Sequence, residues 1–143
     1  MKIALAGNPN CGKTTMFNAL TGRNERVGNW SGVTVDKKEA CIKQSLNPEE
    51  ERLIVVDLPG AYSLVAYGNE ETITKDFILK EKPDVIINIV DATNLNRSLF
   101  LTTQLLELNI PVVVALNKID LAEKKGNKID IPALSAVLKV PVL

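Results

Sequence analysis

Four short apolar runs punctuate the chain: Lys2–Ala6, Leu53–Val56, Val85–Val90 and, just after Pro111, Val112–Leu116. Each is rich in Val, Ile or Leu and too short for a helix, as expected of strands covered on both faces. Helical spacing falls between them. Lys13–Thr21 follows the first run, Leu95–Leu108 sets Leu95, Leu99, Thr102 and Leu106 along one face, and Ile131–Leu138 follows a polar turn around Gly126 and Asn127. Residues 35–45 alternate differently. Val35, Lys37, Glu39, Cys41 and Lys43 face one way and Asp36, Lys38, Ala40 and Ile42 the other, with neither face strongly apolar. That pattern predicts an exposed edge strand, hairpinned to Leu53–Val56 through Asn47-Pro48. The whole reads as an α/β domain spanning residues 1–143: a mostly parallel sheet with one antiparallel edge hairpin and helices on both faces. A ligand then belongs at the C-terminal ends of the strands. Lys139–Leu143 has the composition of the start of another strand, which reads as a domain truncated at its C-terminus.

Three polar motifs sit where those strands end. Gly7-Asn8-Pro9-Asn10-Cys11-Gly12-Lys13-Thr14 fits G-x-x-x-x-G-K-[ST], between a predicted strand and a predicted helix. Glycines there let backbone N–H groups turn inward around phosphates, and the helix N-terminus adds donors and partial positive charge. Lys13 is expected to neutralise the β- and γ-phosphates, and the Thr14 hydroxyl, with Thr15 beside it, to face Mg²⁺ and phosphate. Asp57-Leu58-Pro59-Gly60 fits D-x-x-G, with Asp57 toward Mg²⁺ and the Gly60 N–H toward the γ-phosphate. Between these motifs, Gly28-Asn29-Trp30-Ser31-Gly32-Val33-Thr34 has two glycines and no helical period. Thr34 is the expected further Mg²⁺ ligand there, and this loop and the one after Gly60 are the expected switch segments.

Asn117-Lys118-Ile119-Asp120 fits N-K-x-D at the end of the fourth strand. Asp120 can accept two hydrogen bonds from guanine, whereas adenine would leave its carboxylate unpaired. Asn117 can bond the base and brace the phosphate loop, and the Lys118 stem can cover the base. In this order, each at a strand end, the motifs predict a P-loop GTPase of Ras-like fold that binds Mg·GTP or GDP.

Composition narrows the alternatives. Lys plus Arg and Asp plus Glu balance at 17 each, which gives no sign of nucleic-acid or anionic-membrane binding. Histidine is missing, which removes the usual general base and the commonest metal ligand. No apolar run approaches the roughly 20 residues of a membrane helix, so the expected location is cytoplasmic. Cys11 and Cys41 match no zinc or redox spacing. Ferrous iron has no evident site.

The stretches Gly7–Thr14, Val27–Thr34, Asp57–Leu64, Lys82–Leu95 and Leu101–Leu108 together resemble the GTPase domain of the ferrous iron transport protein B family. That resemblance implies a cytoplasmic domain at the bacterial inner membrane, joined to a helical regulatory domain and a membrane permease, and GTP hydrolysis that serves iron import. The family's Ser-Ala guanine loop would lie just beyond Leu143. Where Ras-like enzymes place a water-orienting glutamine after the D-x-x-G glycine, this chain has Ala61. The resemblance implies that K⁺ fills the gap, bound by Asn10 and by carbonyls around Gly28–Trp30, in a slow, K⁺-stimulated reaction whose catalytic groups are Lys13, Thr34, Gly60 and Asn10. A nucleotide-sensing module with little hydrolysis and an RNA- or ribosome-associated GTPase are the alternatives. Asp120 argues against an ATP-dependent kinase, and a homo-oligomer is left open.

Overall fold

The computed structural model describes residues 1–22, 26–30, 35–47, 49, 52–65 and 68–143. Six strands form one sheet in the order β2-β3-β4-β1-β5-β6. They are β1 (Lys2–Gly7), β2 (Arg26–Asn29), β3 (Asp36–Cys41), β4 (Ile54–Asp57), β5 (Val85–Asp91) and β6 (Val112–Asn117). Strands β4, β1, β5 and β6 run parallel, while β3 pairs antiparallel with both β4 and β2.

Alternation along β1 assigns the two faces. Ala4 and Ala6 join Val56, Ile86, Val90, Val112 and Val114 in one core, with Phe77 and Ile78 of α2 (Asn69–Glu81) and Leu101 and Leu105 of α3 (Leu95–Leu106). Ile131, Leu134 and Leu138 of α5 (Ile131–Leu138) pack against the same side. Ile3 and Leu5 turn the other way, to Val55, Ile89, Ala40 and Phe17 of α1 (Lys13–Thr21). Small residues at Ala4 and Ala6 let α2 and α3 approach the central strand, and helices cover both faces as expected.

Several elements differ from the sequence expectation. The 35–45 segment contributes β3, which is not an edge: β2 lies outside it, with Gly28 opposite Lys37 and Asn29 opposite Asp36. Arg-Val-Gly-Asn is too short and polar to declare a strand, and it joins the sheet through backbone pairing with the open edge of β3. The β3–β4 hairpin is present, with Glu39 opposite Val56, and turns through a 3-10 segment at Gln44–Leu46; Pro48 lies outside the described residues. Helix α2 had no counterpart in the pattern because only Thr74, Phe77 and Ile78 are buried. Its signals were Glu70 and Glu71 in the first turn, Lys80 in the last and Pro83 just beyond. The buried stripe of α3 is Ser98, Leu101, Thr102 and Leu105, with Leu95, Leu99 and Leu106 at its margins. The six-residue α4 (Ile119–Lys124) is too short to show periodicity. At the far end Val142 bridges Val114 in parallel, and Leu143 exchanges backbone bonds with Val114 and Leu116, so a strand does begin beside β6.

Phe17 is fully buried and is the large apolar residue fixing α1 to the sheet. Phe17→Ala is expected to cost about 3–5 kcal/mol of stability in urea unfolding, because the phosphate loop and α1 form one segment over an otherwise intact core.

Candidate functional site

The loop leaving β1 is built by backbone geometry. Asn10 and Gly12 hold left-handed φ values of 64° and 98° on either side of Cys11, and such reversals of hand turn successive N–H groups to one side, an anion-binding nest. Two glycines are required by close approach. A Cβ at Gly7 would lie 2.5 Å from Cys11 Sγ and 2.8 Å from the Ile89 carbonyl oxygen. At Gly12 it would overlap the side-chain amide of Asn117. Helix α1 begins at Lys13, so its N-terminal donors face the same cleft. Cys11 itself is buried, and that burial pushes its thiol pKa up against the opposing pull of Lys13.

Strand β4 delivers the second motif. The carboxylate of Asp57, buried at the end of β4, accepts a hydrogen bond from the Lys13 ammonium. Lys13 has three donors, so two remain for phosphate oxygens. Backbone bonds from Leu58 to Leu5 (3.1 Å) and from Ala61 to Gly7 (3.0 Å) continue the β4–β1 ladder through the motif. They bring Gly60 against Pro9, where a Cβ would lie 2.9 Å from the Pro9 Cα. Ala61 is buried at 1% exposure, so its position points into the protein rather than toward a reacting water. The oxygen donors Thr14 and Asp57 suit a hard cation such as Mg²⁺, and Lys13, the residue before Thr14, is ion-paired with Asp57.

Strand β6 delivers the third. Asn117 Nδ2 donates to the Cys11 carbonyl at 2.9 Å, and Lys118 Nζ donates to the Asn10 carbonyl at 2.9 Å. Lys118 takes a left-handed φ of 61° and caps α4, whose first turn carries the exposed Asp120. The Lys118 ammonium also meets Asp91 Oδ2 at 3.3 Å. Asp91 escaped the sequence reading. It is buried at the end of β5, with Oδ1 accepting from the Thr93 backbone N–H and hydroxyl. Burial raises its pKa, but the bonds from Thr93 and Lys118 outweigh that and hold it below the usual aspartate value. Its signal in the sequence was position alone: like Asp57, it ends an apolar run.

A cleft of about 710 Å³ is lined by Asn8, Pro9, Asn10, Gly12, Lys13, Thr14, Thr15, Gly60 and Lys118, all expected, together with Tyr62, Glu70 and Glu71, which were not. Gly7, Cys11, Asp57 and Asn117 do not line it; they hold its lining in place through the contacts above. Asp120 stands beyond Lys118 with no ion pair among the described residues. Gly28 and Trp30 do not line this cleft. Trp30 packs edge-on against Phe77, ring centroids 5.7 Å apart, with Lys37 Nζ 5.0 Å above its ring. Thr34 lies outside the described residues. No cluster of three or more His, Cys, Asp or Glu forms among the described residues, and no helix is long and apolar enough to cross a membrane.

Two predictions follow from packing and burial. Cys41 is exposed and Cys11 buried, so a thiol reagent at pH 8 should modify one cysteine per native molecule within minutes and the second only after unfolding. The Asp91 carboxylate has a depressed folded pKa, so its stabilisation is complete above the unfolded value of about 4 and is lost as pH falls through the folded one. Asp91→Asn should therefore flatten that part of the acid limb in a plot of Tm against pH.

Comparison with known proteins agrees with this geometry. The family profile of ferrous iron transport protein B matches residues 1–143. The Fe(2+) transporter FeoB of Escherichia coli K12 is 50% identical over 147 aligned residues, covering all of this chain and 18% of that protein. A Porphyromonas gingivalis Fe(2+) transport protein A/FeoB fusion protein is 47% identical over 144, again all of this chain and 17% of that one. The chain thus spans under a fifth of the length of these relatives. Among solved structures, the cytosolic domain of L. pneumophila FeoB superposes with a TM-score of 0.92 at 49% identity, over 100% of this chain and 55% of that one. A GDP-bound variant of the S. thermophilus FeoB G-domain gives 0.92 at 50%, over 100% and 53%. The G domain of T. maritima FeoB gives 0.88 at 41%, over 100% and 85%. With the three motifs on one cleft and the profile matched from end to end, the chain belongs to the ferrous iron transport protein B family and has the fold of its G domain, a P-loop GTPase fold.

Proposed function

We propose that this chain binds Mg·GTP and GDP, hydrolyses GTP slowly, and couples its nucleotide state to ferrous iron passage through a membrane permease, on the cytoplasmic face of the bacterial inner membrane. The observation that carries the nucleotide assignment is the pair of bonds from Asn117 and Lys118 to the phosphate loop, which joins a guanine reader to a phosphate cradle. Asp120 accepts two hydrogen bonds from guanine and rejects adenine, which would strand its charge.

Each residue of the cleft has a part in this scheme. The Asn10–Gly12 nest and the first turn of α1 receive the phosphates, and Lys13 places its free donors on the β- and γ-oxygens. Thr14, Asp57 and Thr34 would hold Mg²⁺, which supplies charge neutralisation at the phosphates when bound. The Gly60 N–H reports the γ-phosphate. Its glycine is also demanded by Pro9, so switch and phosphate loop move against each other without a side chain between them. Ala61 cannot orient water, which leaves the developing charge to Lys13 and to a monovalent cation at Asn10. Asn10 lines the cleft, which supports a K⁺ role with carbonyls near Gly28 and Trp30 as further ligands; its left-handed φ of 64° is one that asparagine tolerates in any turn. The second reading, a nucleotide sensor with little turnover, is favoured by the buried Ala61 alone. Neither reading calls for nucleic acid.

Three measurements test these assignments. Asp120→Ala should weaken GTP binding about 100-fold or more, as loss of two charge-assisted hydrogen bonds requires, without gaining ATP in competition; unchanged GTP affinity would remove the guanine assignment. Gly60→Ala, clashing with Pro9, should retain GDP affinity while GTP turnover falls about tenfold or more. GTP turnover with Mg²⁺ in K⁺ against Na⁺ at equal ionic strength should be faster in K⁺, with the difference lost in Asn10→Ala. Equal slow rates in both salts would leave the sensor as the better reading.

A further inference from the structure

We propose that Asp91 is a positioning residue for nucleotide binding, the fixed anion that holds the Lys118 side chain across the base, and that it thereby sets the lifetime of the bound nucleotide. The proposal rests on the nucleotide reading above and adds a residue that lies outside the phosphate loop and the D-x-x-G and N-K-x-D motifs.

The geometry separates Asp91 from an ordinary surface ion pair. In the parallel ladder Asp91 stands directly beside Asn117, the residue before Lys118. Its backbone carbonyl accepts from Ser98 Oγ at 3.5 Å, and its Oδ1 is taken by the Thr93 N–H at 2.9 Å and the Thr93 hydroxyl at 2.6 Å. The carboxylate is fixed before it meets Lys118, and the remaining oxygen, Oδ2, is turned to Nζ. Lys118 needs such a partner. Its long side chain leaves a left-handed residue and is a third exposed, and a free lysine of this kind samples many rotamers. The Asn10 carbonyl alone fixes one direction of its ammonium; Asn10 and Asp91 together fix its line. The aliphatic stem is then laid out as a flat wall before a base arrives, and the ordering cost of binding falls. Pairing with Asp91 also withholds the Lys118 charge from the phosphates, which are left to Lys13.

The test is a double-mutant cycle on the purified protein with mant-GDP and a non-hydrolysable GTP analogue, read as dissociation rates and equilibrium constants. Asp91→Asn keeps an acceptor for Thr93 and removes the anion. It should weaken both ligands equally, by about tenfold, the size of one charged hydrogen bond, with the change in the dissociation rate. The GTP-to-ITP affinity ratio should stay constant, since the exocyclic amine is read by Asp120. In a Lys118→Met background the same substitution should change affinity by less than about twofold, because coupled residues are non-additive. An equal loss with and without Lys118, a shifted GTP-to-ITP ratio, or no loss in the parent protein overturns the proposal. Should Asp91→Asn fail to fold, Thr93→Val removes the hydroxyl bond to Oδ1, one of the two that orient the carboxylate, while keeping its charge. It should speed mant-GDP release about two- to threefold, the size of one net hydrogen bond, with Lys118 present and not in Lys118→Met; release unaffected, or accelerated in both backgrounds, overturns the proposal. A parent protein that does not bind mant-GDP overturns the nucleotide reading and this one with it, whereas normal parent binding with additive variants overturns this one alone.

Discussion

The hydrogen bond from the Asn117 amide to the Cys11 carbonyl is the constraint on which the site depends. It joins residues 106 apart in sequence, the end of β6 and the middle of the phosphate loop. It exists because Gly12 has no Cβ: any side chain there would occupy the space of the amide. A single missing carbon therefore lets the loop take its left-handed turn and lets the base-reading strand close on it. The Lys118 bond to Asn10 repeats the link one residue on. The proposed guanine reader and phosphate cradle are consequently joined directly, and an error of placement at either end would be shared by both.

Charge is organised by the same geometry. The two cations of the cleft, Lys13 and Lys118, are each met by an aspartate at the end of a strand, Asp57 on β4 and Asp91 on β5. Both carboxylates are buried, and a buried carboxylate is tolerated only when paired and hydrogen-bonded. The pairs keep two positive side chains in place near one another and near the positive end of α1, where their mutual repulsion would otherwise spread them. Glu70 and Glu71 add negative charge to the rim from the first turn of α2, where the helix dipole favours it. The cleft is thus a balanced array rather than a basic patch, in keeping with the zero net charge of the chain.

The contact between Trp30 and Phe77 extends this organisation to the segments flanking the cleft. Trp30 ends the outer hairpin, just before the loop that carries Thr34, and Phe77 belongs to the helix that follows the Gly60 loop. The first segment expected to respond to the γ-phosphate is therefore in contact with the helix that follows the second. The indole N–H is buried and finds no hydrogen-bond partner among the described residues, so the ring is seated by its edge contact with Phe77 and the Lys37 ammonium above it, while its backbone N–H donates to the Val35 carbonyl at 3.0 Å. Tyr62, under the Arg97 guanidinium at 3.9 Å, and Leu64, whose N–H meets Gln104, tie the segment after Gly60 to α3 in the same way.

By itself the sequence determined the parallel strands, the helices α1, α3 and α5 and the motifs at strand ends, but not α2. Apolar runs of four to six residues and the spacing of Gly, Lys, Thr, Asp and Asn are local properties, and local properties are written in order along the chain. It determined equally that Ala61 could not orient water. Only the tertiary structure decided that β3 is interior, since the partner that covers it, β2, has no pattern of its own and joins it through backbone pairing. Only it added Asp91, Tyr62, Glu70 and Glu71 to the site, because a lone aspartate, tyrosine or helix-opening glutamate gains chemistry from what stands opposite it. And only it gave Gly60 and Gly12 their specific reasons. The neighbours that forbid a side chain, Pro9 and Asn117, are supplied by distant segments, and proximity between distant segments is a property of packing rather than of composition.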